Sequence, residues 1–148
     1  MKWLLDTNVI SEPARDHPMP SVVEWIKTKS ITDLAISIVT FAELQDGAQS
    51  NPDERRRHRL LDWIENEVTS RFQNRVLALS GEILVDWLQL SRRFRGRGLA
   101  RDASDMLIAA TARVHGLTLV TRNVRHFMDT DLIVYNPWEG TTSKMEAP

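Results

Sequence analysis

The chain has 148 residues, 42% hydrophobic and 26% charged, a composition that supports one globular domain with a buried core. Its apolar runs fall short of the roughly 20 residues of a membrane helix, and Met1-Lys2-Trp3-Leu4-Leu5-Asp6 reaches an acid too soon for a signal-peptide core. With no cysteine it has no disulfide framework or thiolate metal site, so a cytoplasmic setting without a membrane partner is expected, and a net charge of −1 excludes a molecule that is cationic all over.

Strand and helix signals alternate along the chain. Residues 3–5 form a short β-type run, and residues 21–29 have helical spacing. A second strand over 34–38 leads into helices over 41–49 and 53–70. A strand over 76–79 precedes two helices, 81–94 and 103–115, and Gly116 sits where a C-cap glycine belongs. Strands over 117–121 and 132–135 follow. This order predicts an α/β fold with a mainly parallel sheet covered on both faces. Residues 1–139 form the expected domain, and the small, polar stretch 140–148 is expected to be a fraying tail.

Sheets of this class place their sites beyond the C-terminal ends of the strands. Asp6 ends the first predicted strand, Glu43 opens the helix after the second, and Asn123 follows the strand that ends at Thr121. Asp105 lies near the start of helix 103–115, whose Met106-Leu107-Ile108-Ala109-Ala110-Thr111-Ala112 run is apolar on nearly every side. A carboxylate entering such a helix costs several kcal/mol unless it is paired, hydrogen-bonded or metal-bound.

Each acid also has an ordinary structural reading. Asp102 is a natural N-cap with Asp105 at the third helical position, and Thr40-Phe41-Ala42-Glu43 has capping-box spacing. Asp6-Thr7-Asn8 fits a turn after a strand. The functional case therefore rests on convergence of the acids at one sheet edge. Carboxylates gathered there repel one another, and a hard cation such as Mg²⁺ offsets that charge through oxygen ligands. His17, His58, His115 and His126 have no zinc-like spacing and read as surface or capping residues.

Asp6-Thr7-Asn8-Val9-Ile10-Ser11-Glu12 after a first strand resembles the opening of PIN-domain toxins of the VapC class, particularly the FitB-like branch. The resemblance continues in order through Thr40-Phe41-Ala42-Glu43-Leu44 with Gly47, Asp105-Met106-Leu107-Ile108-Ala109-Ala110-Thr111-Ala112, the His115-to-Asn123 run, and Tyr135-Asn136-Pro137-Trp138. It implies a PIN fold, with a parallel sheet of four to five strands between helices. It also implies Mg²⁺- or Mn²⁺-dependent endoribonuclease activity in a toxin–antitoxin module.

By position, Asp6, Glu43 and Asp105 become the metal-binding acids. Asn123 takes a fourth catalytic place that is aspartate in some members; a neutral amide there favours one resident ion, with a second arriving with RNA. Thr7, Asn8 and Thr121 are candidates to orient the carboxylates by hydrogen bonding. The implied partners are RNA, a second copy of the chain, and an antitoxin whose N-terminal part binds promoter DNA.

Arginine supplies fifteen of the 19 basic residues, four being lysine. The cluster Arg92, Arg93, Arg95, Arg97 and Arg101 immediately precedes the Asp105 helix, as a candidate grip on RNA backbone or on an antitoxin. Two other acid-at-strand-end designs fail. A phosphoacceptor receiver needs a late lysine, and none lies between Lys29 and Lys144; a haloacid-dehalogenase-like phosphatase needs a second aspartate where Asn8 stands. A PIN fold that only binds RNA or protein, and a housekeeping PIN nuclease without an antitoxin, remain as alternatives.

Overall fold

Leu4 and Leu5 are adjacent in one strand and fully buried, yet they belong to different cores. Successive side chains of a strand point to opposite faces, so both faces of this sheet are covered. The same division separates Leu119 from Val120, and Ala35 from Leu34 and Ile36.

The computed structural model describes residues 1–147. Its sheet has six strands: β1 (Trp3–Leu5), β2 (Leu34–Ser37), β3 (Val76–Leu77), β4 (Thr118–Val120), β5 (Ile133–Asn136) and β6 (Thr141–Lys144). The spatial order is β3-β2-β1-β4-β5-β6; the first five are parallel, and β6 runs antiparallel along β5. The predicted α/β class holds, with five parallel strands as expected and antiparallel β6 added at the edge.

Helices α1 (Thr7–Ser11), α2 (Pro20–Thr28) and α3 (Ile38–Gln49) follow the first two strands. Next comes one helical run made of α4 (Glu54–Trp63), a π-helical turn (Ile64–Val68) and α5 (Thr69–Arg71). Helices α6 (Gly81–Gly96) and α7 (Ala103–His115) complete the set. Side chains from α6 and α7 build the core with Leu4 and Leu119, whereas α1, α2, α3 and the π turn build the one with Leu5 and Val120. Among the described residues no helix is long and apolar enough to cross a membrane.

Two expectations are corrected. The helix expected over 41–49 begins at Ile38, because the Ser37 hydroxyl accepts the Val39 N–H at 3.1 Å and caps it. Thr40 is therefore not a cap; it is fully buried and its hydroxyl has no hydrogen-bond partner among the described residues. The expected fraying tail is instead ordered through β6: Thr141 to Lys144 pair with β5, and Met145 is buried beside Leu132, whose carbonyl accepts the Met145 N–H at 2.7 Å. Pro148 lies outside the described residues.

Candidate active site

The chain lays β2 and β3 on one side of β1, then β4 and β5 on the other. The crevice beyond the C-terminal ends of β1 and β4 is thus the topological switch point, where α/β sheets hold ligands. Asp6 sits there, its N–H bonded to the Val120 carbonyl at 2.9 Å. Its side chain caps α1 by accepting the Thr7 N–H at 2.8 Å, and it is only 5% exposed.

Thr121, fully buried at the end of β4, holds the other carboxylate oxygen. Its hydroxyl donates to Asp6 Oδ2 at 2.7 Å and accepts from Asn8 Nδ2 at 3.3 Å and from the Asn123 N–H at 3.0 Å. Asn8 also donates to Asp6 Oδ2 at 3.3 Å and accepts the Arg122 N–H at 3.2 Å, tying the start of α1 to the loop after β4. Across the crevice, the Thr7 hydroxyl donates to Glu43 Oε1 at 3.3 Å. Glu43 lies in the second turn of α3 and is exposed. The Asn123 side chain is exposed at the same edge.

Asp105 reaches this edge because α7 begins two residues before it. The Asp102 side chain is the N-cap, accepting the Asp105 N–H at 3.1 Å, and Gly116 ends the helix in the left-handed region with φ 62°. Sequence reasoning missed His126. Its Nδ1 lies 2.9 Å from Asp105 Oδ2, delivered by a 3-10 turn (Val124–Phe127) after β4. No spacing in the sequence could reveal this contact, since β4 and the loop after it bring together residues that share no helix face.

The acids feel one another. Burial pushes the Asp6 carboxyl above its ordinary value against the lowering effect of its Thr121 and Thr7 hydrogen bonds, and the Asp105 charge adds to the rise. Glu43, though its residue is exposed, is raised first by partial desolvation of its carboxylate and then by Asp6, against the Thr7 hydrogen bond, with Asp105 and Asp102 adding to the rise. Asp105 is raised by burial, partly offset by His126. Among the described residues no Lys or Arg forms an ion pair with Asp6, Glu43 or Asp105. As the side chains stand, no three His, Cys, Asp or Glu among them lie close enough together to hold a metal ion either.

The arginine cluster divides. Arg93 binds the Asp129 carbonyl at 2.8 Å and Asp131 at 2.9 Å, and Arg97 pairs with Asp129 at 3.3 Å. Arg101 donates to the carbonyls of Arg125 and His126 and lies over the Phe94 ring. Arg92 and Arg95 remain exposed, Arg95 reaching only the Ser91 carbonyl of its own helix. Two grooves meet at Arg125 and His126. One, of about 390 Å³, is lined by Asp102 and Asp105; the other, of about 460 Å³, by Arg122 and Asn123 facing Asn136 and Thr141.

An acid-lined crevice on a 3-2-1-4-5 sheet is the arrangement of the PIN domain, which the chain matches over residues 3–131, and the chain belongs to that family. It is 35% identical over 135 residues to Toxin FitB of Neisseria gonorrhoeae, an alignment covering 91% of this chain and 97% of that protein. It is also 35% identical to VapC ribonuclease Y4jK of Sinorhizobium fredii, covering 92% and 97%. Among solved structures, FitAB bound to an IR36 DNA fragment superposes with a TM-score of 0.85 at 33% identity, covering 92% of this chain and 95% of that one.

Proposed function

We propose that this chain is a divalent-metal-dependent endoribonuclease and the toxin of a toxin–antitoxin pair. The observation that carries the reading is that Asp6, Glu43 and Asp105, brought to one open sheet edge, each have a raised pKa with no Lys or Arg partner among the described residues. An all-oxygen donor set that lacks Lys or Arg partners suits a hard cation. Mg²⁺ takes one or two carboxylates and completes its shell with water and phosphate oxygens, so a preformed three-ligand cage is not required. Asp6 would be the fixed ligand, with Glu43 and Asp105 closing on the ion and Asn123 offering a neutral amide oxygen. The bound ion would supply a nucleophilic water and offset charge on the phosphorus.

The protein's own groups set the geometry of hydrolysis. Thr121, Asn8 and the Thr7 N–H fix the Asp6 carboxylate, and the Thr7 hydroxyl holds Glu43 toward it. The exposed Arg122 and Arg125 line the groove leading away from Asn123, where they can meet an RNA backbone. The kinship with FitB and a VapC ribonuclease supports this chemistry, and the FitAB complex on DNA supports a partner antitoxin that binds promoter DNA through its N-terminal part. A cytoplasmic homodimer is the corresponding setting.

The deciding experiment is cleavage of total RNA with Mg²⁺ or Mn²⁺ by wild type, Asp6→Ala and Asp105→Ala. Cleavage by wild type alone is expected. Equal cleavage by all three would place the chemistry elsewhere, and no cleavage by any would favour a PIN fold that only binds.

A further inference from the structure

Asp105 occupies the third position of α7, where a carboxylate ordinarily bends back to the N–H of the capping residue and completes a reciprocal box. Here only half of the box forms. Asp102 accepts the Asp105 N–H, but Asp105 does not return the bond; its Oδ2 is taken by His126. A carboxylate can only accept, so the imidazole Nδ1 carries the hydrogen.

The turn that presents the imidazole is held by contacts other than the one to Asp105. The His126 N–H donates to the Asn123 carbonyl at 3.0 Å, and its own carbonyl accepts Arg101 Nη1 at 3.0 Å. The same guanidinium nitrogen binds the Arg125 carbonyl at 3.1 Å, and the guanidinium stacks 4.6 Å from the ring of the buried Phe94. Phe127, the next residue, is fully buried. The backbone is thus pinned from both sides, while the His126 side chain stays 55% exposed at the meeting point of the two grooves. Most exposed pairs lose side-chain entropy on forming and contribute little; here the turn that carries one partner is already fixed.

We propose that His126 is a positioning residue that draws the Asp105 carboxylate away from its helix N-terminus and holds it in a cation-binding orientation, with Arg101 anchoring the turn that presents the imidazole. Arg101 then acts through the fold rather than on RNA. The inference rests on the metal-site reading above and goes beyond it by giving roles to two residues outside the acid set. Without the imidazole, Asp105 returns to the capping box: the helix gains a bond and the cation loses a ligand.

Mn²⁺ binding to the full chain, measured by titration calorimetry without RNA, tests this. Relative to wild type, His126→Ala should bind about tenfold more weakly, whereas His126→Asn, whose amide restores a donor near Nδ1, should stay within about threefold. The melting temperature of metal-free His126→Ala should be no lower than that of wild type. In an Asp105→Asn background, His126→Ala should bring no further loss of affinity. Wild-type affinity in His126→Ala, tighter binding by it, or equal losses in the Ala and Asn variants would each overturn the positioning role and leave the metal site standing. No Mn²⁺ binding by wild type would overturn the metal site and this inference together.

Discussion

Two regions of the molecule are rich in aspartate, and they treat it in opposite ways. Around α7 and the loop before β5, Asp86 and Asp131 converge on Arg113, with Arg93 also on Asp131. Arg113 meets Asp86 with two nitrogens, at 2.8 and 3.3 Å, the forked geometry in which guanidinium and carboxylate bind best. At the far end of β1 and β4, Asp6, Glu43 and Asp105 lie at one edge, and among the described residues His126 is the one basic side chain paired with any of them. Asp131 is lowered, by the Ala147 N–H and then by its arginines, while the three site acids are raised. Sequence composition treats these acids as equivalent. Their neighbours separate acids that stabilise the fold from acids held at a cost to it, and the second kind supports the proposed metal site.

Charge neutralisation at the two ends should break this contrast most sharply. Asp6→Asn is expected to lower RNA cleavage by about a thousandfold, a loss typical of removing one essential electrostatic group. The same variant should raise the melting temperature of the metal-free protein by about 3 °C, roughly 1 kcal/mol for a domain this size. Arg113→Ala should instead cost stability and spare catalysis. Stranding Asp86 without its partner should lower stability by about 2 kcal/mol, read from urea midpoints, with cleavage per folded molecule unchanged.

The pH dependences should also oppose. A site acid with a raised folded-state pKa binds its proton more tightly folded than unfolded. Stability is therefore lost as pH climbs from the ordinary carboxylate value through the raised one. Asp131 has a depressed value, so its contribution is present above the ordinary value and lost as pH falls through the depressed one. Urea midpoints in EDTA from about pH 3 to 7 should show Asp6→Asn flattening the neutral limb and Asp131→Asn the acid limb. Saturating Mg²⁺ should remove the neutral limb in wild type and leave the acid limb untouched.

The smallest effect concerns the arginines. Arg92→Ala or Arg95→Ala should each reduce the salt slope of RNA binding by about one if its guanidinium reaches a phosphate. Arg97→Ala should leave that slope unchanged, because its guanidinium is already committed to Asp129.

What the sequence revealed follows from how local each signal is. Helix α7 matches the expected span because Asp102 and Gly116 mark its ends with residues whose chemistry is confined to those positions. The start of α3 was hidden by a decoy: Thr40 to Glu43 has the spacing of a box, while the working cap is Ser37, read as part of the strand. The π turn has no residue signature, and α1 is too short to show a period. At the site, Asp6, Glu43 and Asn123 could be traced to the sheet edge along the chain and Asp105 only through the start of its helix, but Thr121 as the shared hub and His126 as a partner depend on β4 lying beside β1. Strand β6 lacked any apolar alternation and became visible only once β5 offered it an edge.

That edge has a practical consequence for recombinant work. Thr141, Thr142 and Lys144 are exposed on a polar outer strand that occupies the hydrogen-bonding rim of β5. A stop codon after Glu139, attractive as a tidy trimming of a hydrophilic end, would bare that rim and uncover Leu132 and Val134 where Met145 packs. The shortened protein would carry an adhesive border and be driven toward inclusion bodies, so purification tags belong beyond Ala147 or at the opposite terminus.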